Sequence, residues 1–279
     1  MHYGNKDFSE SVMHGYLQYF KEHSNIPIGL MGDIVEYGEG SSFIKEEKVS
    51  IDDQIAQFVA DFKPLKDRIK FILWGNHEER YVRISSARNF MRVLALELGI
   101  NPDDGKCYIG EPQRGIFIVF KAGDKSYGAY VQHSRTNARI NQDIQLARAG
   151  SQNLVAILAH GHTHRLLWKP RTFRAIEEIN GQFTNVVRRQ YLLATGCFLK
   201  YPSYAEASSL PYTEVGSPIV KFYSDNNEVG EYDLTNKYRD YLTRGGISYS
   251  HAQVDLDSIK KHFEKKKPFG VTETCLSKK

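Results

Sequence analysis

With 279 residues, 41% hydrophobic and 25% charged, the chain has material for one large globular domain or two modest ones and for a sizeable core. A net charge of +4 permits a phosphate-bearing partner without demanding one. Three scattered cysteines with no CxxC pair exclude a disulfide framework and a zinc finger, and no apolar run is long enough to span a membrane. The start, MHYGNKDFSES, is polar and carries no signal peptide, so cytoplasm is the expected compartment.

From Ser9 to Glu22, Val12, Tyr16, Tyr19 and Phe20 recur at helical spacing. A short strand over residues 26–31 (IPIGLM) follows and ends in GDIVEYG. After a polar insert, Ser50 with Asp53 forms a capping-box-like start for a helix carrying Ile55, Phe58, Val59 and Phe62. Residues 69–74 (IKFILW) predict a buried strand that hands over to the loop GNHEER. Ser85 or Ser86 then caps a helix that runs to Leu98. Residues 115–122 and 127–132 predict a hairpin turning at Gly123-Asp124, whose second strand runs into His133. A helix is expected from Asn137 to Ala149. Residues 154–159 (LVAILA) form an apolar strand ending in His160, His162 and His164. Alternate residues of an extended chain point the same way, so these imidazoles are expected to face one point. Short strands follow at 166–169, 175–179, 189–194, 219–223 and 228–232. The first 110 residues alternate helix and strand, and the rest is mostly strand. Residues 236–279 are polar, with basic runs at Lys260-Lys261 and Lys265 to Lys267, and read as a peripheral helix and tail.

Four strand ends therefore carry metal-type side chains: Asp33 in GDIVEYG, Asn76 and His77 in GNHEER, His133 in VQHS, and His162 with His164 in GHTH. His2 in MHYGN is a fifth candidate. Singly these are ordinary: a Gly-Asp is usually a turn, and a lone histidine is usually structural. Imidazole, amide and carboxylate donors together suit manganese, iron, zinc or nickel better than calcium or magnesium.

In this order the motifs resemble those of the calcineurin-like metallophosphoesterase superfamily, over about residues 1–225. The matching blocks are Asp33-x-x-Glu36, Gly75-Asn76-His77-Glu78, His133 and Gly161-His162-Thr163-His164. The resemblance implies an α/β, four-layer αββα sandwich of two mixed sheets flanked by helices, spanning residues 1–235. It implies two divalent metals, with manganese the first expectation. Asp33 would bridge them, Asn76, His133 and His162 would complete one site, and His2 and His164 would belong to the other. Two metals about 3.5–4 Å apart clamp both oxygens of an in-line displacement and activate water. His77 would be the catalytic group beside the scissile phosphate. Glu36 and Glu78 are expected to orient ligands, and His160 to be structural or to support them.

The first block of such families reads D-x-H. Here Met1 and His2 occupy its last two positions, and the strand expected ahead of it is not in the sequence. A truncated start, a natural chain with one weakened site, and a degenerate scaffold are the three readings. Basic residues trail the metal loops: Arg80 and Arg83, Arg135 and Arg139, then Arg165, Lys169, Arg171 and Arg174. They line a groove for a phosphate backbone or are solvated surface; Arg80, Arg135 and Arg165 are the substrate-binding candidates. Tyr37 and Tyr81 are candidates for base stacking. The expected activity is that of a metal-dependent phosphodiesterase, with a DNA nuclease as its sharpest form. A phosphomonoesterase on the same site and a non-catalytic scaffold are the alternatives. The expected partner is a phosphoester, nucleic acid included, and no membrane.

Overall fold

A computed structural model describes residues 1–39, 47–133, 142–200, 215–224, 229–232 and 271–274. In chain order the elements are α1 (Glu10–Glu22), β1 (Ile28–Leu30), α2 (Ile51–Phe62), β2 (Ile69–Ile72), α3 (Asn76–Ser85), α4 (Phe90–Glu97), β3 (Tyr108–Ile109), β4 (Ile116–Ala122), β5 (Lys125–His133), α5 (Gln142–Gln152), β6 (Ile157–Gly161), β7 (Leu166–Ile179), β8 (Gln182–Thr195), β9 (Ile219–Phe222), β10 (Val229–Tyr232) and β11 (Val271–Thr274).

The alternating apolar residues of the strands divide the core into layers. Ile69 and Ile72 of β2 face α1, α2 and α4, packing with Tyr16, Phe58 and Leu94. Phe71 and Leu73 face the opposite way, onto Ile118, Val131, Ile157, Ala159 and Leu193 of a second sheet. The far face of that sheet carries Leu158, Leu192 and Ala194, which pack on Leu146 of α5. Helices, sheet, sheet and helix thus form the four layers expected from the sequence. Of the two packed sheets, the smaller has the order β1-β2-β3 and among the described residues is parallel, not mixed as expected; β9 and β10 form a separate antiparallel pair. The larger has the order β11-β4-β5-β6-β8-β7 and is mixed. β6 and the end of β8 are buried on both faces, which is why they read as unbroken apolar runs.

Several boundaries differ from the sequence reading. GNHEER is the start of helix α3, not a loop, and Ser86 in left-handed geometry (φ 61°) separates it from α4. The buried side of α3 is polar, His77 and Glu78, so hydrophobic periodicity had nothing to register. The strand predicted over residues 154–159 forms three residues later, and Leu154 is exposed. α5 continues past Gly150 to Gln152. The short strands predicted between residues 166 and 194 are two 14-residue strands joined in one hairpin, β7–β8. Of the C-terminal stretch read as helix and tail, Val271–Thr274 pairs with β4 as an edge strand, and the remainder lies outside the described residues.

Among the described residues β1 has a strand neighbour on one side only, β2. Beside it lies a cavity of about 670 Å³. Leu30, Phe71, Val131, Ala159 and Leu193 wall its apolar floor, and His2, Asp33, His133 and His162 stand at its polar mouth. Tyr3 bridges Val35 in parallel register, with Tyr3 N–H donating to Ile34 O and Glu36 N–H to Tyr3 O.

Candidate metal centre

The loops after β1, β2, β5 and β6 meet at one end of the two sheets. Asp33 follows β1 and is buried. Its Oδ1 accepts the N–H of His77 at 3.1 Å, from the first turn of α3, where the helix dipole favours a carboxylate. Its Oδ2 is buried without a hydrogen-bond partner. That oxygen has His133 Nε2 at 3.2 Å and His2 Nε2 and His162 Nδ1 each at 3.8 Å. An unsatisfied buried carboxylate oxygen is costly, and imidazole nitrogens on several sides make it a fitting place for a cation.

The outer contacts of two histidines fix which nitrogen faces inward. His133 directs Nδ1 at Met31 O, 2.6 Å away. A carbonyl only accepts, so Nδ1 carries the proton and Nε2 offers its lone pair. Asn76 Oδ1 lies 3.2 Å from the same Nε2. His2 directs Nδ1 at Glu36 Oε2, 2.8 Å away, so its Nε2 also faces inward, 2.8 Å from His164 Nε2. This is the carboxylate- or carbonyl-supported arrangement that orients ligating imidazoles. Burial pushes the His2 pKa down to about 4, outweighing the Glu36 contact, so His2 is neutral at neutral pH. Burial likewise lowers His164, helped by His2. Burial opposes charging His133 too, but the adjacent Asp33 carboxylate prevails and raises its pKa. Burial works against ionising Asp33, yet His133 and His77 hold its pKa well below the usual range. Glu36 is held at about 2 by its bond to His2 despite burial.

Two groups of donors result, each with ligand atoms within 4.8 Å of one another: Asp33 with His133 and His162, and Asp33 with His2 and His77. Asp33 belongs to both. His77 sits closer than the sequence reading implied, but its Nδ1 accepts the Tyr37 N–H at 3.0 Å. Its proton therefore resides on Nε2, which makes that nitrogen a donor.

Glu78 fastens the loops together. Its buried carboxylate accepts N–H groups from Asp33 (2.9 Å), Ile34 (2.6 Å), Val35 (3.2 Å) and Gly75 (2.8 Å). Burial and the nearby Asp33 charge raise its pKa, and the four donors favour the charged form. At Gly75 a Cβ would lie 2.1 Å from Asp33 N, so only glycine allows this approach. Gln54, fully buried, braces the other side by accepting Glu36 N–H at 2.7 Å.

His160 does not join these donors. It lies within β6, whereas His162 (φ 78°) and His164 (φ 56°) adopt left-handed backbone that breaks the strand alternation. Its Nε2 is buried without a partner, and burial lowers its pKa to about 4. His2 (φ 65°) and Asp33 (φ 47°) are also left-handed. Such geometry is uncommon outside glycine, though Asp and His adopt it more readily than most residues, and it costs roughly 1 kcal/mol each. The concentration of strain at the site carries no sequence signal.

Of the basic candidates, Arg80 donates from Nη1 to Tyr37 O at 2.7 Å and stands at the rim. Arg165 is half-buried between β6 and β7. Arg171 is tied to Gln190 Oε1 (2.7 Å) and Ala147 O (3.0 Å), which takes it out of any substrate groove. Arg135 and Arg139 lie outside the described residues. The Tyr37 and Tyr81 rings contact each other edge-on at 5.1 Å.

No family model matches the chain, and no curated protein matches it. Among solved structures it is similar to wild-type Vps29 from Entamoeba histolytica complexed with zinc: 18% identity, TM-score 0.31, covering 63% of this chain and 82% of that one. It is also similar to Vps29 from Cryptosporidium parvum: 16% identity, TM-score 0.28, covering 63% and 88%. At these scores the chemistry rests on the geometry of the site alone.

Proposed function

We propose that this chain is a metal-dependent phosphoester hydrolase of the calcineurin-like metallophosphoesterase type. We further propose phosphodiesters as its substrates, with a nucleic-acid strand the sharpest form of that reading. One observation carries the proposal: two histidines with Nδ1 held by outer oxygens aim Nε2 at the unsatisfied Oδ2 of Asp33. Asp33, Asn76, His133 and His162 would hold one divalent cation, and Asp33, His2 and His164 a second. Manganese is the first choice, with iron, zinc or nickel as alternatives. Bound cations would supply Lewis acidity and a nucleophilic water.

The chain's own groups do the rest. Glu78 and Gly75 hold the Asp33 loop against α3. Glu36 and Met31 keep His2 and His133 in the ligating tautomer. His77, with Nε2 protonated, donates to a non-bridging or leaving oxygen of the phosphate. Arg80 and Arg165 stand where a substrate anion would approach, and Arg135 is assigned the same role. The functional domain is assigned to residues 1–235 and the compartment to the cytoplasm.

The test is manganese-dependent hydrolysis of an aryl phosphodiester, with calorimetric titration of the metal. Asp33→Ala and His133→Ala are expected to lose metal binding and turnover together. His77→Asn is expected to keep the metal and lose about 10²–10⁴-fold in kcat. Full activity in the first two variants would sink the proposal. Preference for a monoester would select the phosphomonoesterase reading, and stoichiometric metal binding without turnover would select the scaffold.

A further inference from the structure

A second cavity of about 670 Å³ lies beside the metal centre, over the outer side of α3. Trp74, Asn76, Arg80, Arg83, Arg88 and Gln113 line it. Asn76 also faces the metal centre, with Oδ1 3.2 Å from His133 Nε2, so the two spaces share a wall. Three arginines face one acid in the lining, Glu79. Arg80 is anchored to Tyr37 O, and neither Arg83 nor Arg88 pairs with a carboxylate among the described residues. Three other surface arginines are paired, Arg92 with Asp103, Arg114 with Glu111 and Arg188 with Glu177, whereas Arg83 and Arg88 are gathered in one concavity with Arg80. Gln113, on the rim, is held at φ 64° within a turn closed by Arg114 N–H on Glu111 O. That backbone is ordinarily left to glycine. Guanidinium groups with no carboxylate partner among the described residues, in a concave site next to an indole, match a phosphate with an attached planar ring.

We infer that this pocket is a subsite for a second phosphate of the substrate, one unit along from the scissile one, as in a nucleic-acid strand. Arg83 and Arg88 bind that phosphate, and Trp74 offers a face to the adjoining base. The inference rests on the hydrolase reading for the identity of the first phosphate. Its binding test does not depend on turnover.

A labelled oligothymidylate is titrated into the full chain in chelator, without metal. R83Q/R88Q is compared with R92Q/K106Q, which removes the same charge from the exposed pairs with Asp103 and Asp104. Both are first shown to be folded by circular dichroism. The pocket variant is expected to bind about tenfold more weakly, in line with the loss of one charge-assisted phosphate contact. The slope of log K against log salt is expected to fall by about 0.7. The control pair is expected to match the wild type. In manganese, the ratio of kcat/KM for the oligonucleotide to that for an aryl diester is expected to fall by a similar factor. Equal binding by the pocket variant and the wild type overturns the subsite. Micromolar displacement of the oligonucleotide by pyrophosphate reassigns the pocket to free polyphosphates and overturns the strand assignment. Loss of binding in the variant, with no diester hydrolysed by the wild type, sinks the hydrolase reading and keeps the subsite.

Discussion

The polar mouth and the apolar floor of the cavity beside β1 lie on the same strands, yet they are built on opposite terms. At the mouth the backbone N–H groups and the outer imidazole nitrogens are engaged, and Asp33 Oδ2 and His162 Nδ1 are left facing inward without a hydrogen-bond partner. Glu78 takes four N–H groups, Gln54 bridges two loops, and Glu36 and Met31 hold the imidazoles. On the floor, Leu30, Val131 and Ala159 face about 670 Å³ of space. Close-packed interiors contribute contact energy that an open slot forgoes. The molecule is therefore rigid where it places donors and under-packed directly beneath them. Disruption at the mouth should cost more than disruption on the floor.

Substitutions in the core give the largest contrast. Leu158→Ala, in the filled layer under α5, is expected to cost about 2–5 kcal/mol. Leu30→Ala, bordering the open slot, should fall at or below the bottom of that range, because fewer contacts are lost. Urea unfolding of both reads the difference, and equal losses would mean that the slot is filled in solution. Glu78→Gln tests the mouth. An amide cannot accept four N–H groups from both of its ends, and stranded buried donors cost about 1–3 kcal/mol. The same variant should weaken metal binding by roughly 10–100-fold through the displaced Asp33 loop.

Acid is expected to act on the mouth before the floor. Folded His160 takes a proton near pH 4, as does His2, whereas an unfolded histidine does so near 6.5. Between those values these two histidines bind more protons in the unfolded chain, so their contribution to stability is complete above pH 6.5 and is lost as pH drops toward 4. His160 alone accounts for up to about 3 kcal/mol of that loss. Below pH 4.5, protonation of Glu36 adds to it, because its folded pKa is held at about 2. Stability of the metal-free chain measured against pH checks the slope, and His160→Gln should flatten part of it while leaving metal binding intact. The smallest expected effect is a gain: Ala129→Leu, reaching into the slot, should add about 0.5–1 kcal/mol.

Much of the architecture could be read directly from the chain. Alternation and apolar runs located β2, β4, β5 and β6, and Ser50 capped α2 by accepting Asp53 N–H as its spacing suggested. The ligand candidates were also legible, because metal-type side chains stood at four strand ends. Helix α3 escaped because its buried side is polar. The hairpin β7–β8 was broken into pieces because much of its length is exposed, with Ile176 77% and Phe183 80% accessible. Neither hydrophobic period nor core burial marks such an arm.

By itself, the sequence determined which residues could serve as ligands and that strand ends would carry them, since both follow from residue chemistry and short-range periodicity. Only the tertiary structure decided which would act together. His160 was separated from His162 and His164 by left-handed backbone, and Glu36 and Glu78 were given distinct tasks at His2 and at the Asp33 loop. The orphaned Oδ2 of Asp33 appears only when four loops close on it. Backbone dihedrals, tautomers and unsatisfied atoms are properties of groups brought together from distant parts of the chain, and no local pattern in a sequence encodes them.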